Sequence, residues 1–195
     1  METVINIYIV RHGQSLMNEQ KLIQGQKEFS NNGLSKEGIK QIKGISQYIK
    51  KLDINKIFSS DLQRCKESAE LINKDIKVDV EYVKNLREQD CGDWEGLKSS
   101  EIKKHPTKEI IPHHGESMKD VEKRVIPFIK SLMKENESNI LLLTHAAVIQ
   151  NIIGYFLDIP YSSRLKIKLK GGCLSHISID KEYVKVVMIG FVDRI

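Results

Sequence analysis

Three short runs constrain this fold most: Ile5-Asn6-Ile7-Tyr8-Ile9-Val10, Lys56-Ile57-Phe58-Ser59 and Ile140-Leu141-Leu142-Leu143-Thr144. They are too short for helices and mostly apolar, as strands buried on both faces of a parallel sheet should be. Helical patterns lie between and after them. Ile39, Ile42, Ile45, Ile49 and Leu52 recur at three- and four-residue spacing on one face. Ser35 is placed to cap that helix, with Glu37 at its positive end. A second helix is predicted from near Asp61, with Leu62, Cys65, Ala69 and Ile72 inward. A third follows Ser117, where Asp120 completes a capping box and Met118, Val121, Val125, Phe128 and Leu132 supply the stripe. Pro127 inside that stripe predicts a kink or a break. A fourth is predicted from about Ala146 to Leu157, stopping before Pro160. Two alternating stretches, His176-Ile177-Ser178-Ile179 and Tyr183 to Met188, read as a closing hairpin at a sheet edge. The expected fold is α/β: a three-layer sandwich whose mainly parallel central sheet has helices on both faces and an antiparallel edge.

A chain of 195 residues can bury a core of its own. It shows no repeat, low-complexity segment or Pro/Gly/Ser-rich linker, so residues 1–195 are expected to form one domain. No run approaches the roughly 20 apolar residues of a membrane span, and Met1-Glu2-Thr3 lacks the basic opening of a secretory signal. A cytoplasmic protein is therefore expected. Three scattered cysteines, Cys65, Cys91 and Cys173, argue against a disulfide framework and against structural zinc. They read as reduced thiols, with redox sensing at Cys91 a minor alternative. The net charge of +5 suits an anionic ligand. Its lysines are scattered rather than run together or interleaved with aromatics, so a solvated surface is expected rather than nucleic-acid binding.

In an open α/β sheet, ligands bind beyond the carboxyl ends of the strands. The first run is followed by Arg11-His12-Gly13, the second by Ser60-Asp61-Leu62-Gln63-Arg64, and the third ends in Thr144-His145. Two arginines and two histidines should thus converge at one end of the sheet. Two guanidiniums suit a phosphoryl dianion, because each planar fork binds two oxygens and keeps its charge. A neutral imidazole among them can attack phosphorus, and the neighbouring cations disfavour its protonation. A second imidazole can stabilise the equatorial oxygens. Gly13 is expected to bring the backbone close to the ligand. Taken singly, Arg-His-Gly is a chance tripeptide, His145 a structural histidine and Arg64 an exposed helix residue; the shared strand-end placement outweighs these readings.

These residues resemble the signature of the histidine phosphatase superfamily, the group that includes cofactor-dependent phosphoglycerate mutase. Arg11-His12-Gly13-Gln14-Ser15 with Asn18 is similar to its first motif, Leu34-Ser35-x-x-Gly38 to the segment opening its first helix, and Ser59-Ser60-Asp61-Leu62-x-Arg64 to its second arginine motif. Leu86-Arg87-Glu88 with Gly92-x-Trp94-Glu95-Gly96 resembles the acidic motif, Gly115-Glu116-Ser117 the segment before a helix, and Thr144-His145 the second histidine. The resemblance implies that His12 is the nucleophile, that Glu88 donates a proton to the leaving oxygen, and that Arg11, Arg64 and His145 form the phosphate pocket. Asn18, by the same resemblance, touches the phosphate, and Gln24 and Gly25 are grouped with it as substrate-binding candidates. Without the resemblance, Glu88 would be a surface carboxylate paired with Arg87. Trp94 is expected to pack rather than to bind. The chain departs from the family's usual pattern at Ala146-Ala147, where Gly-Gly is common, and at Gln150, where arginine is common.

A phosphohistidine can be hydrolysed or can phosphorylate a second hydroxyl. Only 56 residues separate Glu88 from His145, whereas the mutases carry a longer insertion that encloses a bisphosphate. Gln89-Asp90-Cys91 also lacks the mutases' extra basic and tyrosine residues. Phosphatase is the first expectation, mutase the second, and a non-catalytic phosphate-binding module the third; the intact residue set disfavours the last. The stretch Glu101 to Ser117, with His105, His113 and His114, is the expected lid. Adjacent histidines point apart on a strand or helix and no third ligand is evident, so no metal is expected there, nor any cofactor. The arginines already supply the positive charge that a metal would bring. The substrate is expected to be a small phosphomonoester such as alpha-ribazole phosphate, a sugar phosphate, a phosphoglycerate or phosphoserine. Oligomeric state is left open, a homodimer among the options.

Overall fold

The computed structural model describes residues 4–30, 32–102, 109, 111–133, 138–180 and 183–192. Six strands form one sheet: β1 (Ile5–Arg11), β2 (Lys56–Ser59), β3 (Asp79–Tyr82), β4 (Asn139–Thr144), β5 (Leu174–Asp180) and β6 (Tyr183–Phe191). Their order across the sheet is β3-β2-β4-β1-β5-β6. The first four run parallel, while β5 pairs antiparallel with β1 and β6 antiparallel with β5. The mainly parallel sheet and its hairpin edge are those expected from the sequence. β3 was not: its four residues are mostly exposed and carry no apolar run to signal a strand.

Among the described residues six α-helices accompany the sheet: α1 (Leu16–Glu19), α2 (Lys36–Ile49), α3 (Gln63–Ile76), α4 (Met118–Leu132), α5 (Ala146–Phe156) and α6 (Tyr161–Arg164). Side chains alternate across each strand, and β4 shows the consequence. Ile140 and Leu142 pack with α4 and α5 around Val121, Val125, Val148 and Ile152. Leu141 and Leu143 face α2 and α3, against Ile42, Ile45, Ile49 and Ile72. Two apolar cores on opposite faces make the three layers, and each fully buried Leu or Ile is worth about 1.5–3 kcal/mol. None of the helices in the described residues is long and apolar enough to cross a membrane.

The predicted caps form. The Ser35 hydroxyl accepts from the Gly38 amide, and Ser117 and Asp120 make the reciprocal pair that starts α4. Of the kink or break expected at Pro127, the break does not occur: α4 continues through it to Leu132. Pro127 and Lys123 lie on the exposed face, so the Lys123 carbonyl that loses its intrahelical partner is open to water. Within the predicted α2 stripe, Ile39 is about one-third exposed, at 36%, and Leu52 lies beyond the helix end.

Candidate active site

Strand register sets the level at which the polar residues meet. Arg11 is opposite Thr144 in the β1–β4 pair, and Ser59 opposite Leu143 in the β2–β4 pair. The ladder runs on as His12 N–H donates to the Thr144 carbonyl at 3.0 Å and Ser60 N–H to the Leu143 carbonyl at 2.9 Å. His12, Ser60 and His145 therefore leave three adjacent strands side by side. α3 and α5 start just beyond, so the positive ends of two helices face the same place.

The hydrogen bonds assign the His12 tautomer. Nδ1 lies 2.7 Å from the Gly13 carbonyl, which can only accept. Nε2 takes a bond from Arg64 Nε at 3.3 Å, and a guanidinium can only donate. The proton sits on Nδ1 and the lone pair on Nε2 points at Arg64. Burial, reinforced by Arg64 and Arg11, holds the imidazole well below its usual pKa, so it is neutral at pH 7. The His145 ring, 5.0 Å away between centroids, is likewise kept neutral by burial and the nearby cations. Its Nε2 is 2.9 Å from the Ser60 hydroxyl.

Arg64 is 1% exposed, an unusual place for a cation. Nη2 donates to the Gly25 carbonyl at 2.8 Å, while Nη1 has no partner among the described residues. Arg11 donates from Nη1 to the Leu169 carbonyl at 2.6 Å, and its Nε is equally unpartnered. Neither guanidinium forms a salt bridge among the described residues. Two cations with free donors beside a lone pair make a site for a multivalent oxyanion.

Glu88 reaches the same site from a different element. Its Oε1 accepts from the Ala147 amide at 3.1 Å, in the first turn of α5, and from the Gln89 amide at 3.0 Å. Its main chain is clamped by side chains far along the chain. The Glu88 carbonyl accepts from Gln26 Nε2 and Arg124 Nη2, each at 2.9 Å. Arg124 in turn holds Glu116 through both carboxylate oxygens, at 2.8 and 2.9 Å. Arg87 does not pair with Glu88; it forks onto Asp61 with two bonds of 2.6 Å.

The structure thus brings Arg11, His12, Arg64, Glu88 and His145 together. Asn18 caps α1, its Oδ1 accepting from the Ser15 amide at 3.3 Å, which leaves its Nδ2 group for other partners. Gln24 is buried, with Oε1 accepting from Ser15 and Nε2 donating to Asn32. Gly25 serves through its carbonyl and sits at φ +54, where an added Cβ would strike Glu95. Gly13 departs from expectation: the backbone it admits is that of α2, since a Cβ there would lie 2.4 Å from the Gly38 carbonyl oxygen. Cys91 is no activated thiol, because burial and then Glu88 push its pKa up. Sequence reasoning missed the Ser68 hydroxyl, which takes the Gly13 amide and donates to the Arg64 carbonyl. It also missed the Glu116–Arg124 clamp, whose only trace in the sequence was the Gly115-Glu116-Ser117 motif. Of the expected lid, residues 103–108 and 110, and with them His105, lie outside the described residues.

Residues 7–191 match the model of the histidine phosphatase superfamily (branch 1). Among curated relatives, the broad-specificity phosphatase YOR283W of Saccharomyces cerevisiae is 31% identical over 77% of this chain and 69% of its own. The adenosylcobalamin/alpha-ribazole phosphatase of Escherichia coli is 23% identical over 92% of both chains. A probable phosphoglycerate mutase, GpmB of Salmonella arizonae, is 26% identical over 89% of this chain and 85% of its own. Among solved structures, Mycobacterial hydrolase 1 superposes with a TM-score of 0.86 at 22% identity, over 97% of this chain and 99% of that one.

Proposed function

Because the chain belongs to the histidine phosphatase superfamily (branch 1), we propose that it hydrolyses a small phosphomonoester through a phosphohistidine on His12, without a metal. One observation carries this reading above the rest. His12 is a neutral, Nδ1-protonated imidazole whose Nε2 lone pair faces the buried Arg64, and Arg64 and the half-buried Arg11 each keep a donor without a partner among the described residues.

The steps follow from that geometry. The substrate's non-bridging oxygens take bonds from Arg11 Nε and Arg64 Nη1, with Asn18 Nδ2 and His145 as further contacts. Nε2 of His12 attacks phosphorus, and the P–O bond to the leaving group breaks. The Gly13 carbonyl supports the positive charge that then spreads over the ring. Glu88 gives the leaving oxygen its proton from Oε2, because Oε1 is occupied by two amides. Water then attacks the phosphohistidine, Glu88 takes back a proton, and inorganic phosphate leaves. The two arginines supply the cationic charge throughout, which is why no metal is required. Residues 1–195 act as one domain in this scheme, Gln24 holding the Ser15 cap and Gly25 holding Arg64.

Hydrolysis is favoured over transfer to a second hydroxyl by the short stretch between Glu88 and His145. The names of the relatives, an alpha-ribazole phosphatase and a broad-specificity phosphatase, support small phosphomonoesters as the substrate class. The test is phosphate release from an aryl phosphate, with and without chelator, in wild type and His12→Ala. Chelator-resistant release that the variant loses is the expected result. Release by His12→Ala at the wild-type rate sinks the proposal.

A further inference from the structure

We propose that Asp93, His113 and His114 form a binding site for one zinc-class divalent ion, outside the catalytic pocket and independent of the reaction proposed above. The sequence expectation was that the adjacent histidines diverge. They do not: His113 Nδ1 lies 3.0 Å from Asp93 Oδ2, and His114 Nδ1 lies 3.1 Å from Asp93 Oδ1. The two rings are 3.8 Å apart between centroids, and the three ligand atoms fall within 4.8 Å of one another.

Local backbone produces this convergence. His114 adopts φ +58, so the chain turns between the two histidines rather than extending. Gly92 lies against that turn, where any Cβ would sit 2.2 Å from the His113 carbonyl oxygen. The Asp93 amide donates to that carbonyl at 3.1 Å, fastening the two segments side by side.

The donor set is that of a borderline metal: two imidazoles and one carboxylate. In a tetrahedral zinc site, bonds of about 2.0–2.1 Å put ligand atoms about 3.3 Å apart. The observed N···O separations are a few tenths of an ångström short of that, and the three ligand atoms, within 4.8 Å of one another, have to draw together to share one ion. Binding would replace the two imidazole N–H protons that now face Asp93 and leave the fourth position to water. The side chains are 75%, 71% and 59% exposed for His113, His114 and Asp93, so the ion has open access. Asp93 and His113 lie on two segments already held side by side by main-chain bonds, the Asp93 amide to the His113 carbonyl and the Glu116 amide to the Asp90 carbonyl. A bound ion would cross-link those two segments without touching the reacting groups.

The test is calorimetric titration of chelator-stripped full-length protein with Zn²⁺ at pH 7, comparing wild type, Asp93→Asn and the His113→Ala/His114→Ala double variant. One equivalent should bind wild type, and both variants should weaken binding at least about tenfold, a scale reached even by changes behind a metal ligand. Zn²⁺ should also raise the melting temperature of wild type and not of the double variant. Equal binding by wild type and the variants overturns the proposal, since the ion then sits elsewhere. Failure of wild type to bind up to millimolar zinc overturns it too. Phosphate release by the variants without zinc checks that they fold, because none of the three residues belongs to the catalytic set.

Discussion

Arg64 and Arg164 are both buried, at 1% and 5% exposure, yet they are handled in opposite ways. Arg164, in α6, bonds the Glu122 carboxylate, the Asn151 amide oxygen at 2.7 Å and the Ile159 carbonyl at 2.9 Å. It also lies over the Tyr161 ring at 4.3 Å, and Gly154 of α5 leaves the room it needs. Its charge is neutralised, and it ties α6 to α4 and α5. Arg64 has no bonded carboxylate among the described residues; its partners are a carbonyl and an imidazole, and one nitrogen has none. A buried charge without a counter-ion costs several kcal/mol. The chain carries that cost where an anionic ligand would repay it and avoids it where the job is packing.

The comparison can be broken most sharply at the residue that Arg64 serves. His12→Ala should abolish turnover and any acid-labile phosphoenzyme while leaving the urea midpoint close to wild type. Next comes Arg164→Ala. It strands Glu122 and should destabilise the fold by about 3–5 kcal/mol, read as a lower urea midpoint, with kcat of the remaining folded enzyme unchanged. Arg64→Ala should do the converse: kcat/KM falls by the equivalent of about 2–5 kcal/mol, and stability holds or rises. Equal stability losses in the two arginine variants would erase the distinction.

Ligand linkage gives a smaller effect. Phosphate at about 100 times its Kd should add about 2.7 kcal/mol of stability to wild type, and much less to Arg64→Ala. The smallest expected effect is the pH dependence. The folded-state pKa values of His12 and His145 are lowered below 6.5. The unfolded chain therefore binds more protons just below that pH, and stability declines as pH falls from about 6.5 toward the folded values. His12→Asn should flatten that decline in urea titrations, because the replacement does not titrate.

Much of the site was legible because its signals are local. The rule that ligands bind beyond parallel strands placed Arg11, His12, Arg64 and His145 together once the three runs were read as neighbours. Ser35 and the Ser117–Asp120 pair announced helix starts through side chains that act within three residues. Gln24 and Asn18 were named as substrate-binding candidates; what no spacing announced is that they also hold Ser15, Asn32 and the α1 cap, with the Asn18 Nδ2 group left for other partners. Only a resemblance pointed to Glu88, because its position depends on Gln26, Glu116 and Arg124, which no spacing links to it.

The amino-acid sequence by itself determined the layered α/β architecture and the identity of the residues at the strand ends. Apolar periodicity and capping are short-range, and their physics is complete within one element. Only the tertiary structure decided which buried arginine carries a counter-ion, how Glu88 is held, and that His113 and His114 turn onto Asp93. Each of those depends on pairing across long separations, as between Arg164 and Glu122, 42 residues apart, or Arg124 and Glu88, 36 apart. Electrostatic compensation is a property of the folded neighbourhood and is absent from any stretch of sequence read alone.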